Sequence, residues 1–129
     1  MTLTPHRDAV DKTVAETRVR YAEVTARNDA AGIGQRMSIE TCEAILGGMA
    51  DMLDCGVALE KVWPQIAMAE AGALASFLLS AAHGDAAAAE RLLPGALASI
   101  QELALARLRR KPEEWVVGTS VAPRSAGQG

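Results

Sequence analysis

The chain has 129 residues, a formal charge of −3 and 50% apolar residues, yet only 3% aromatics. That length suits one domain able to bury a core without disulfides or metal. The balance of charge provides no field that would gather nucleic acid or an anionic membrane. Tyr21, Trp63, Phe77 and Trp115 are the whole aromatic set, and alanine takes their place. Strand-favouring residues are sparse and the best helix former abounds. The expected class is all-α, a compact bundle of about four main helices over roughly 5–31, 38–55, 64–82 and 86–110. Residues 1–112 read as a single helical domain and 113–129 as an extended, partly disordered tail. High alanine and arginine with little lysine suggest a GC-rich bacterial or phage coding sequence.

Thr4-Pro5 reads as a cap followed by proline at the first helical position. The helix it opens is expected to reach about Ala31 and end at Gly32. Its apolar line is thin: Leu3, Val10, Val14, Tyr21 and Val24 keep a heptad, with Arg7 and Thr17 interrupting. Charges of alternating sign fill the rest, with Arg7/Asp11, Asp8/Lys12 and Glu23/Arg27 at i,i+4 spacing. Such a seam suits either a solvated helix laid on its own bundle or an arm that binds a partner. Gly32-Ile33-Gly34 reads as a turn; without a preceding strand it is no nucleotide fingerprint.

Ser38 is the expected cap of the second helix. Ile39, Cys42, Ile45, Leu46, Met49, Met52 and Leu53 follow a 3.6-residue period, and Gly56 stops it. Gly47-Gly48 inside this helix costs about 2 kcal/mol relative to two alanines. The cost points to a kink or to a close crossing. Cys42 and Cys55 lie about 20 Å apart along a continuous helix, which excludes an intrachain bridge. Reduced thiols fit the cytoplasm, and MTLTPHRDAV has no signal-peptide core.

Residues 57–63 are expected to form a short helical turn before Pro64 starts a new helix. Val62–Ala82 carries one charge, Glu70, and a surface of alanine, glycine and serine. So apolar a helix demands cover on nearly all sides, and its small residues let other backbones approach closely. About 20 residues is also the length of a membrane span. Small residues supply little insertion energy, however, and Glu70 opposes insertion, so a buried helix of a soluble bundle is expected.

Asp85 is the expected cap of the last helix, with a kink or break near Pro94 and an end at Pro112. Leu93, Leu97, Ile100, Ala104 and Leu108 make one stripe along it. Residues 36–106 set Arg36, Lys61 and Arg91 against nine acids, while the cations from Arg107 to Lys111 crowd the helix end. Those cations read as complements of the helix dipole rather than a nucleic-acid patch, for which no aromatic or second basic run is present.

No catalytic constellation emerges. His6, His83, Cys42 and Cys55 are the only nitrogen or sulfur ligands, with no C-x-x-C, H-x-x-H or Glu-x-x-His spacing, so no metal or cofactor is expected. His83 reads as a residue that closes a helix. Glu70 needs a physical account: a solvent-facing line, a cation from another helix or subunit, or a small polar pocket.

The leading expectation is a structural or interaction module that self-associates or binds another protein. Its candidate interface is Ala67, Ala71, Gly72, Ala75, Ser76 and Trp115. The alternative is a small-molecule binder or enzyme with a pocket of Glu70, Met49, Met52, Met68 and Phe77. Partners are expected to be proteins rather than nucleic acid or membrane.

Overall fold

Five helices follow one another along residues 5–110, the part of the chain that the computed structural model describes: α1 (Pro5–Arg20), α2 (Ala22–Thr25), α3 (Ala30–Asp54), α4 (Leu59–Ala81) and α5 (Ala86–Leu108). No strand occurs among the described residues, and the class is all-α. Within α4 the chain divides into two units, one ending at Val62 and the other beginning at Trp63.

In the first unit α1 and α3 run antiparallel. His6 at the start of α1 meets Asp54 at the end of α3, and Arg18 near the end of α1 pairs with Glu43. Val14, Tyr21 and Ile39 form the core, with Val10 packed against it. Removing side chains of this size from water stabilises by roughly 1.5–3 kcal/mol each. The narrow line along α1 is therefore spent on its own domain. Its two polar interruptions have structural uses. Thr17 is buried and its hydroxyl donates to the Thr13 carbonyl at 2.8 Å. Arg7 reaches Asp11 at 3.1 Å and Asp51 at 3.5 Å. Its guanidinium lies over Gly47, where a Cβ would come within 2.2 Å of Arg7 Nη1. The pair Gly47-Gly48 is expected to mark a kink or a close helix crossing; what approaches Gly47 is the end of the Arg7 side chain, and a Cβ on Gly48 would meet nothing within 4 Å.

The first expected helix, 5–31, is shorter than its pattern. Regular α1 stops at Arg20, and Tyr21 takes φ −105°, ψ 15° before the single turn of α2. The second helix starts at Ala30, not after Ser38, which lies well inside α3. The reason is Asp29. In extended conformation, its carboxylate accepts the Gly32 N–H at 2.9 Å and caps the helix. Gly32 and Gly34 consequently belong to α3 rather than to a turn. A Cβ on Gly32 would stand 2.1 Å from the Arg27 carbonyl oxygen and 2.8 Å from that of Val24, so its bareness admits the backbone of the α2–α3 corner. Arg36 Nη1 ties that corner by donating to the carbonyls of Thr25 and Arg27.

α3 ends as its sequence suggests. Gly56 has φ +84°, its N–H donates to the Leu53 carbonyl at 3.0 Å, and Val57 N–H donates to that of Met52 at 3.0 Å. The segment before Pro64, by contrast, is not a separate turn. α4 is continuous from Leu59 with Pro64 inside it, leaving the Glu60 carbonyl without the helical donor that residue 64 would supply. Because only the second turn is affected, the loss is confined to one hydrogen bond near a helix end.

In the second unit α4 leads to α5 through Ala82–Asp85. Gly84 N–H donates to the Leu79 carbonyl at 2.8 Å and His83 N–H to that of Ser80 at 3.1 Å. This is the paired bonding that closes helices ending in a left-handed residue. Here the left-handed residue is His83, at φ +53°, followed by Gly84 at +84°. Asp85 caps α5 as expected, accepting the Ala88 N–H at 3.1 Å. Pro94 lies within α5, which continues to Leu108.

Candidate interaction surface

α4 carries the surface that its composition made conspicuous, and most of it faces outward. Of the stretch Val62–Ala82, only Val62 and Leu78 are buried. Expected to be covered on nearly all sides, the helix is exposed over most of its length among the described residues. The seams of α1, α2 and α3 pack on one another and form the core of the first unit. By length and composition α4 would also be able to cross a membrane.

Two lines on α4 differ in texture. Trp63, Glu70 and Phe77 recur every seventh residue, which keeps them within about 40° of one another around the axis. Trp63 is 65% and Phe77 64% exposed, and Glu70 between them is exposed too. Glu70 is exposed within the single chain. A second line consists of Met68, Gly72, Ala75 and Leu79, spaced at i, i+4, i+7 and i+11. Met68 is 70% exposed, and a Cβ at Gly72 would meet nothing within 4 Å. This line sets small residues at Gly72 and Ala75 between larger apolar ones at Met68 and Leu79.

The residues expected to form an interface are distributed accordingly. Ala71, Gly72, Ala75 and Ser76 are exposed on α4, while Ala67 is half-buried. Trp115 lies outside the described residues, as does the 113–129 tail. The pocket candidates are differently placed. Met49 and Met52 are half-buried on α3, whereas Glu70, Met68 and Phe77 are exposed on α4.

What the chain pattern undervalued is α5. Leu97 and Ile100 are each about half exposed and Leu103 is 64% exposed. The stripe is covered only near the α4–α5 turn, where Ala89 is buried and Leu93 and Ala96 are half-buried. An apolar stripe longer than its cover was visible as a repeat of 3.6, but periodicity does not tell which turns another element reaches.

The chemical groups stand apart from this surface. Cys42, half-buried, and Cys55, exposed, are free thiols. Among the described residues no three of His, Cys, Asp and Glu are grouped to hold a metal ion. His83 is exposed and closes α4. The best-defined carboxylate, Asp29, has its pKa held below the ordinary 3.8 by the Gly32 N–H first and by Arg27 second. That is the signature of a helix cap, not of a general base. No known protein family, curated protein or solved structure matches the chain.

Proposed function

We propose that the chain is a small soluble helical protein acting as a structural or protein-interaction module, and that it self-associates through the second unit. The observation that supports this reading is the exposure of large apolar side chains on two sides of one 23-residue helix, Trp63 and Phe77 on one and Met68 on the other. Large apolar side chains left exposed along a helix suit a protein contact or a membrane contact. Glu70, Gly72 and the serines of α4 favour the protein contact, because they lower insertion energy and ease close helix approach. Free thiols at Cys42 and Cys55 agree with a reducing, cytoplasmic setting.

Sedimentation velocity in detergent-free buffer, from about 1 to 100 μM, tests the proposal. Dimers or larger species that grow with concentration are expected. A strict monomer throughout overturns the reading, and solubility only in detergent or lipid overturns it in favour of a bilayer.

A further inference from the structure

We infer that two copies of the chain pair through α5 in antiparallel orientation about a two-fold axis near residues 98 and 99, with Glu90 of each copy facing Arg107 of the other. The inference rests on the self-association proposed above and deepens it by naming the face, the direction and the register.

The argument begins with spacing. Residues 90, 97 and 104 form one seven-residue series along α5, and 93, 100 and 107 form another; together they alternate by three and four. That is the a and d pattern of a helix–helix seam. The series reads Glu90, Leu93, Leu97, Ile100, Ala104, Arg107. Leu97 and Ile100 at its centre are 49% and 51% exposed, Leu93 is half-buried, and Glu90, Ala104 and Arg107 are exposed. Pro94 lies beside this line rather than on it.

Charge then selects the occupant. From Glu90 to Arg107 the seam has two charged members of opposite sign, one at each end, and its spacing extends back to Ala86 at the start of α5. Two parallel copies would set Glu90 against Glu90 and Arg107 against Arg107. Two antiparallel copies set a positions against d positions and turn both clashes into ion pairs. The same register places Leu93 opposite Ala104, large against small, and Leu97 opposite Ile100 at the centre. Complementing the helix dipole accounts for the sign of charge at each end of α5. It does not account for both charges falling on the apolar line, one on each of its two seven-residue series. A pairing of this kind is isologous and closes on itself, as a two-fold dimer requires.

Charge reversal tests it with substitutions at exposed sites, where folding, read by circular dichroism, is expected to be unchanged. Glu90→Arg and Arg107→Glu are each expected to raise the dimer dissociation constant ~10-fold or more, since each creates two like-charge contacts. The double variant is expected to regain the original constant. Mixing the two single variants is expected to give a heterodimer tighter than either homodimer. Single reversals without effect, or no recovery in the double variant and the mixture, overturn the antiparallel register while leaving self-association standing. An original chain that remains monomeric overturns self-association itself.

Discussion

Asp54 Oδ1 lies 2.6 Å from His6 Nδ1, and the same carboxylate accepts the backbone N–H of His6 at 3.2 Å and of Arg7 at 3.0 Å. A residue at the end of α3 therefore caps the start of α1 from 48 positions away. Thr4 is the local candidate for that cap and lies outside the described residues. The arrangement satisfies two of the orphan donors of α1 and puts negative charge at its positive end.

Replacing Asp54 by alanine leaves those N–H groups without their acceptor. A loss of about 1–3 kcal/mol in unfolding free energy is expected. Asp54→Asn should lose less, because its amide oxygen still accepts. Urea denaturation of both variants provides the check, and equal losses would show that the carboxylate's charge is the whole of its contribution.

Asp29 gives the pH dependence a sign. Its pKa is lower in the folded chain, because the Gly32 N–H and Arg27 favour the ionised form. Its stabilising contribution is then complete above the unfolded value near 4 and is lost as the pH falls through the lowered folded value. Unfolding midpoints measured from pH 7 down to 2 should fall on the acid side, and Asp29→Asn should flatten that fall.

Two glycines of α3, two residues apart, should respond oppositely to alanine. Gly32→Ala drives a Cβ into the Arg27 and Val24 carbonyls and is expected to destabilise by ~2 kcal/mol or more. Gly34→Ala meets nothing within 4 Å and should stabilise by about 1 kcal/mol through helix propensity. Thermal unfolding of the pair checks both signs at once.

At the α4–α5 turn, His83 occupies a conformation that side chains rarely adopt. His83→Gly should stabilise by about 1 kcal/mol, and His83→Val should destabilise, since β-branching worsens the left-handed fit. A His83→Gly variant that loses stability would show that the imidazole holds the helix end by more than its backbone.

Several of these features are legible from local chemistry alone. Asp85, Gly56 and the stripe beginning at Ile39 each act within a few residues of where they stand, so propensity and capping rules reach them. The α2–α3 corner is not local. Gly32 looks like a terminator because glycine usually ends helices, whereas here it admits carbonyls from residues 24 and 27. Asn28-Asp29 ahead of Ala30-Ala31 was the available cap signal, outweighed by Ser38 ahead of a stronger apolar run. Asp54 acts on α1 across the fold, and no spacing rule connects residues 6 and 54. The exposure of α4 eluded the sequence for a different reason: composition says that a face needs cover, not that the same chain supplies it.

If the second unit pairs with a second copy as proposed, the division between Val62 and Trp63 separates two melting behaviours. The core around Val14, Tyr21 and Ile39 closes within one chain, so its unfolding midpoint does not depend on how many chains are present. A surface completed by a second copy melts by a bimolecular law, and its midpoint climbs with dilution reversed. Heating this protein at several concentrations is then expected to separate one fixed transition from one that moves, and the shift of the moving midpoint with concentration reports the strength of association.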